Sequence, residues 1–354
     1  MSTIEVGAIT DESGGTTATI NTYTPTASNM AGRNRIINGN MAIDQRNIGA
    51  SVTPGEGIYT VDRWEAKQTT ASKFSVQQNA GSVTPPVGFT NYVGCTSLSA
   101  FSIGATDQFG LRQIIEGLNV ADLGWGTADA QTITVSFWVR SSLTGTFGCA
   151  IYNYAGNRSY PFSYAISSSN TWEKKTVTIA GDTSGTWPNT STHGPVLFFS
   201  LGTGTTYSGT AGAWSGSFLA SATGATSVVG TSGATLYITG VQLEEGSVAT
   251  PFEHRSYGTE LQLCSRYFWR QYNAGQNVLY DRVYWSGAGN NALFNFPAPA
   301  GMRIVNATVT CSPTTNGTSV SFTHQQYGNI VVYRATAAGD NYLYAGDISI
   351  SAEL

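Results

Sequence analysis

A chain of 354 residues is long enough to bury two cores of ordinary size, so no metal or disulfide staple is needed for folding. Charged residues make up 11% of the composition against 12% aromatics, with 41 glycines; disordered chains have the opposite balance, so the pattern points to all-β architecture. A net charge of −4 without a long Lys or Arg run excludes the concentrated basic footprint that nucleic-acid phosphates demand.

The start, MSTIEVGAITDESGG, has no basic region followed by an apolar core, and no stretch reaches the roughly 18 apolar residues of a membrane span. Synthesis in the cytoplasm without membrane insertion is the expectation. Cys95, Cys149, Cys264 and Cys311 form no CxxC pair, so they read as free thiols and no metal is assigned.

Residues 1–32 are rich in Thr, Gly and Ser with isolated apolar positions, which suits an extended arm or an attachment to a larger assembly. From Arg33 the composition changes to RNRIINGNMAIDQRN and then YTVDRWEAKQ. Asn38, Gly39 and Asn40 mark a turn, and the alternation from Val61 to Ala66 turns Trp64 into a core, with Asp62 and Arg63 outside or paired. Strands are expected at Lys73 to Gln78, Tyr92 to Phe101, Phe109 to Glu116, Thr132 to Arg140, Thr146 to Tyr154, Lys174 to Ile179 and Val196 to Leu201, the spacing of an antiparallel sandwich. Within QTITVSFWVR, Ile133, Val135, Phe137 and Val139 share one face, and Trp138 stands on the more polar one.

Residues 181–232 are loose and carry Trp187, His193, Tyr207 and Trp214, which either line binding loops or plug the ends of the sandwich. The segment Ala234 to Phe268 reads as a closing strand, a Pro-anchored tether and the entrance to a second domain, with Thr259 to Tyr267 either a short helix or extended chain. In the tether, His254 is expected to fix the seam by hydrogen bonding. Beyond it, strands are expected at Val278 to Trp285, Ala292 to Pro297, Ala307 to Cys311, Ser319 to His324, Asn329 to Ala335 and Asp347 to Ala352. The boundaries are thus an arm over 1–32, a first sandwich over 33–255, a connector over 256–266 and a C-terminal β domain over 267–354.

The blocks RNRIINGNMAIDQRN, YTVDRW, VSFWVRSS and GATLYITGVQLEEGSVATPFEHRSYGTELQLCSRYF resemble a group of tailed-phage structural proteins, tail fibres and tail-associated receptor-binding proteins; FPAPAGMR and the ISISAEL ending are similar to the small β domain that follows in many of them. The resemblance implies a galactose-binding-like jelly roll, akin to carbohydrate-binding modules, followed by a smaller C-terminal β-sandwich tip. It also implies a homotrimer in the virion tail, joined to other tail proteins through residues 1–32 and bound to a host surface glycan or outer-membrane receptor. Related modules hold a structural calcium on an early Asn-Gly-x-Phe-Glu segment and a late Asp. Here the segment is Asn38-Gly39-Asn40-Met41-Ala42 and Thr239-Gly240 precedes the last strand, so both acids are missing and no cofactor is assigned.

Catalysis has no motif behind it. Polysaccharide hydrolysis needs two carboxyls roughly 5 to 10 Å apart; the candidates are Glu116, Asp122, Glu244, Glu245, Glu253, Glu260 and Asp281, and adjacent Glu244 and Glu245 would point to opposite faces of a strand. His193, His254 and His324 form no metal signature, and neither a nucleophile elbow nor an internal repeat is present. A glycan binder needs aromatic faces with amides and charges around them. Tip placement favours Trp269, Tyr272, Tyr280, Tyr284, Trp285, Asn290 and Asn291, with Trp187 and Trp214 as loop candidates. The expectation is therefore a non-enzymatic receptor-binding appendage, with a purely structural virion component and a polysaccharide-degrading tailspike as the alternatives.

Overall fold

The computed structural model describes residues 32–272, 301–303, 307–310 and 347–354 with their side chains, and the backbone of the strands between 279 and 345. Twelve strands build the first unit: β1 (Glu65–Gln68), β2 (Phe74–Gln78), β3 (Val93–Ser97), β4 (Gln108–Glu116), β5 (Ile133–Ser141), β6 (Gly145–Asn153), β7 (Ser159–Ile166), β8 (Glu173–Ile179), β9 (His193–Thr203), β10 (Ser208–Gly209), β11 (Ser221–Ala222) and β12 (Thr235–Glu245). They form two five-stranded sheets, β2-β3-β12-β5-β8 and β1-β4-β9-β6-β7, with β10 and β11 a short parallel pair to one side. This is the expected all-β sandwich.

Alternation explains the core. On β5, Ile133, Val135, Phe137 and Val139 are all buried between the sheets, meeting Leu197 and Phe199 of β9 and Leu111 of β4 in one apolar cluster. Phe137 packs edge-on against Phe199 with ring centroids 5.0 Å apart, and Trp64 lies 6.0 Å from the same ring. The paired β12 carries a bulge: Thr239 faces Trp138 and Gln242 faces Ser136, which leaves Gly240 and Val241 opposite a single residue. That bulge receives the Asn38-Gly39-Asn40 turn, whose Gly39 carbonyl accepts from Val241 N at 2.9 Å. A Cβ on Gly39 would collide with the Val241 carbonyl, so glycine is required there by close approach.

After β12 the tether passes Pro251, and Phe252 and His254 pack on Phe89 at centroid distances of 5.1 and 5.4 Å. His254 packs its ring on Phe89 and Phe252 at the seam, and among the described residues it makes no side-chain hydrogen bond of the kind expected. The ambiguous stretch that follows is helical: α1 (Tyr257–Ser265) begins at Ser256, whose hydroxyl caps Thr259 N at 3.3 Å. Next come β13 (Phe268–Tyr272), β14 (Leu279–Trp285), β15 (Asn291–Pro297), β16 (Thr308–Cys311), β17 (Thr314–Thr315), β18 (Ser319–His324), β19 (Asn329–Ala335), β20 (Gly339–Ala345) and β21 (Asp347–Ser351). These make three three-stranded sheets, β13-β21-β16, β14-β20-β17 and β15-β19-β18.

The end of α1, β13 and the residues after β21 are fixed to the first sandwich by charge. Glu353 pairs with Arg46 at 2.8 Å and with Arg63, while Arg266 holds Glu116 through two bonds of 2.9 and 2.7 Å. Arg63 lies inside the protein, and Asp62 accepts from Gln45 N and Nε2 at 3.1 and 2.6 Å. Both side chains that the sequence leaves "outside or paired" are thus buried and paired; residues 61–63 form a turn ahead of β1, with Arg63 at φ 71°, so the expected strand alternation does not set their directions.

Candidate functional site

Three concavities merit comparison. The largest, about 490 Å³, lies at the seam and is bordered by Arg35, Glu253, Arg255 and Thr259. Its polar groups are already used by the joint: Glu253 accepts from Gly32 N and Asn34 N at 2.8 and 2.9 Å, and Arg255 binds the carbonyls of Ile36 and Asn34. A cleft of about 240 Å³ lies beside Trp125 and Trp187. Here Trp125, Trp187 and Trp214 stack edge to face, with centroids 4.8 to 5.7 Å apart. Each indole N–H donates to the protein itself: Trp125 to Gln131 O, Trp214 to Ala180 O, and Trp187 to Asp182 and Ser184. Trp187 and Trp214 are thus half-buried and packed edge to face with Trp125, and Trp187 also borders the cleft.

The third concavity, about 420 Å³, is a groove on the outer face of sheet β1-β4-β9-β6-β7. Its floor follows from strand register. Glu65 of β1 lies opposite Arg112 of β4, and two-residue periodicity puts Lys67 on the same face as Glu65. Arg112 grips Glu65 with Nε to Oε2 at 3.0 Å and Nη2 to Oε1 at 2.7 Å, a bidentate pair. Its remaining Nη1 points to the Tyr152 hydroxyl at 3.5 Å. Burial opposes the charge on Arg112, but the Glu65 hydrogen bonds and the Tyr152 oxygen hold the guanidinium above its ordinary pKa. Burial likewise raises the Tyr152 phenol, so its hydroxyl keeps its proton at neutral pH.

The walls are aromatic. Phe218 stands edge-on to Tyr152 at 4.9 Å, with Tyr207 against Phe218 at 5.4 Å. On the other side Tyr154 is stacked on the His193 imidazole, 3.9 Å between centroids and 21° between planes, and still exposes 47% of its surface. Burial, with the nearby charges of Arg303 and Arg112, lowers the His193 pKa, so this is a stack of neutral rings near pH 7. The groove thus offers a rigid, half-exposed ring next to several hydrogen-bonding groups, the combination that suits the apolar face and hydroxyls of a sugar.

The residues expected at the tip are distributed differently. Trp269 and Tyr272 both lie on β13, but their odd spacing puts them on opposite faces, Trp269 half-buried and Tyr272 48% exposed beneath the Arg270 guanidinium at 4.8 Å. Tyr280, Tyr284 and Trp285 fall on β14 and Asn291 on β15, with side chains outside the described residues, as is the whole of Asn290. Residues 1–31 of the expected arm are also outside them.

Sequence reasoning passed over Glu65, Lys67, Arg112, Tyr152 and Tyr154. The signal was present as i, i+2 pairs, Glu65 with Lys67 and Tyr152 with Tyr154, but which face of a strand lies outside becomes visible only with the partner sheet in place. The candidate acids are otherwise engaged: Glu116 with Arg266 and Tyr267, Asp122 with Arg35, Glu244 with Thr250, and Glu260 with Asn38 N. Glu244 is buried and Glu245 is not, as opposite faces require, and Asp281 lies on β14 with its side chain outside the described residues.

No protein-family model matches the sequence, and a search of curated proteins finds no match. Among solved structures, the chain is similar to the enzymatically active domain of tailspike protein 4 of bacteriophage CBA120, at 12% identity and a TM-score of 0.33 over 60% of this chain and 21% of that one. It is similar to the module TmCBM61 in complex with β-1,4-galactotriose, at 13% identity and a TM-score of 0.30 over 60% of this chain and 99% of the other. A family 11 carbohydrate-binding module from Clostridium thermocellum, in complex with a mixed-linked tetrasaccharide, gives 10% identity and 0.29 over 55% and 96%. At such identities and scores none of these likenesses bears on what the chain does.

Proposed function

We propose that this protein is a glycan-binding component of a phage tail appendage, which attaches the particle to a host surface saccharide through the outer-face groove without cleaving it. One observation carries the glycan reading: Tyr154, stacked on His193 and half-exposed, stands beside the fixed Glu65–Arg112 pair and the Tyr152 hydroxyl. An immobilised ring needs little further ordering on binding, which favours a weak polar ligand such as a sugar. The tail assignment rests on the resemblance of the YTVDRW and VQLEEGSVATPFEHR blocks to tail fibres. Binding without cleavage is favoured because no carboxyl is among the described residues lining the groove and Glu65 behind it has both oxygens held by Arg112, whereas glycoside hydrolysis needs one carboxyl to give a proton.

Homotrimeric assembly would turn a weak single site into useful avidity. Attachment to other tail proteins through residues 1–32 completes the proposal. The decisive experiment is an array of bacterial surface polysaccharides probed with the purified chain, with light scattering run in parallel. Binding to a defined glycan, its loss in Tyr154→Ala and no new reducing ends support the proposal. Silence across the array would favour a purely structural virion role, and release of reducing ends a tailspike enzyme.

A further inference from the structure

The charged groups of the groove are layered. Glu65 is only 3% exposed and lies behind Arg112, so it does not border the open volume, whereas Arg112 and Lys67 do. Lys67 is tied to Glu56 at the rim, a surface pair whose carboxylate is itself about half-exposed and also accepts from Gln68 N at 2.6 Å. Such exposed pairs contribute little and exchange readily. Around the same volume stand the Gln108 amide and the hydroxyls of Tyr152, Tyr154 and Tyr207. Among the described residues that line it, two are cations and none is a carboxylate. On the ladder, Lys67 lies opposite Gly110, two residues before Arg112, so the two cations share one face with no side chain from position 110 between them.

From this layering we infer that the groove selects a saccharide bearing a carboxylate, such as a uronic acid, with the sugar ring on Tyr154 and its carboxylate received by Arg112 Nη1 and Lys67 Nζ. The inference rests on the glycan reading and names the ligand class of that same groove. Arg112 suits the task because Glu65 holds Nε and Nη2, which fixes the guanidinium plane, while Nη1 keeps only a long 3.5 Å bond to the groove-lining Tyr152 hydroxyl. A neutral hexose could use the same ring but would gain no charge-assisted bond from these two cations, which would keep only their partners within the protein, Glu65 and Glu56.

The test compares matched oligosaccharides that differ only in a 6-carboxylate or a 6-hydroxymethyl group, titrated calorimetrically into the intact protein at low and moderate salt. The acidic ligand should bind at least about tenfold more tightly, the scale of one charge-assisted hydrogen bond, and should weaken as salt rises. Lys67→Gln should remove most of that preference. Glu56→Gln, which frees Lys67, should strengthen acidic binding. Equal affinity for the two ligands, or a preference untouched by Lys67→Gln, would overturn the inference and leave the glycan reading standing. Binding of neither ligand, nor of any saccharide in a wider panel, would overturn both.

Discussion

Arg63 lies over the ring of Tyr267, with 3.6 Å from the guanidinium carbon to the ring centroid and both side chains fully buried. The same guanidinium meets Glu353 and the Ile114 carbonyl, so one side chain joins the residue that precedes β13, the last residues and the strand beneath the groove. Its backbone sits at φ 71°, a left-handed conformation unfavourable for a residue with a Cβ by about 1 to 2 kcal/mol. Replacing Arg63 by Met should destabilise the protein by about 3 kcal/mol, because Glu353 is left buried with Arg46 as its remaining partner. The companion change Glu353→Gln should cost less in the Arg63→Met background than in wild type; urea denaturation of the four proteins measures this coupling.

Stability should also respond to pH through Asp62. Burial raises this carboxyl from its ordinary value to about 7, against the opposing charge of Arg46. The folded protein therefore holds a proton that the unfolded chain releases near pH 4. Stability from this group is fully present below that value, declines as pH rises between about 4 and 7, and is constant above. Glu116 acts in the opposite sense: burial would raise it, but Arg266 and Tyr267 together hold it below its ordinary value, so its contribution is lost in acid. Denaturant midpoints from pH 4 to 8 should decline in wild type more steeply than in Asp62→Asn. A decline of equal slope in the variant would show that another group is responsible.

The tryptophan end plug makes a separate prediction. Trp125 is nearly buried, and its two neighbours bring their indole N–H bonds to fixed backbone positions. Trp125→Ala should lower stability by about 3 to 5 kcal/mol, and Trp187→Ala by less, since Trp187 is partly exposed. Thermal unfolding followed by tryptophan fluorescence would check the order; a neutral Trp125→Ala would remove the structural role given to the cluster.

These relationships differ in how readable they are from sequence. The strands of the sandwich were legible wherever apolar and polar residues alternate, as on β5, and Trp64 was recognisable as core. β7 was missed because SYPFSYAI carries a proline, which sequence reading takes as a break but which the structure accommodates in an edge strand, where Pro161 has only one neighbour to satisfy. β20 was missed because it opens on Gly339, Asp340 and Asn341, residues that read as a turn, and β13 because its FWRQY sequence sits within a longer run of aromatic residues. α1 stayed ambiguous because its apolar residues form only a weak stripe and the Ser256 cap had to decide. The site was the least legible part. Trp187 and Trp214 attract attention as residue types, yet only three-dimensional packing shows that they cluster with Trp125, while Glu65, Arg112 and Tyr154 come together from three strands or turns far apart in the chain.

Calorimetric titration of the best array ligand into wild type, Tyr154→Ala and Trp187→Ala bears most directly on the groove as the binding site. The expected result is saturable binding by wild type and by folded Trp187→Ala with similar affinity, and a loss of at least about tenfold in Tyr154→Ala, the scale of one ring contact on a sugar. Unchanged binding in Tyr154→Ala together with loss in Trp187→Ala would contradict it and move the site to the end of the sandwich.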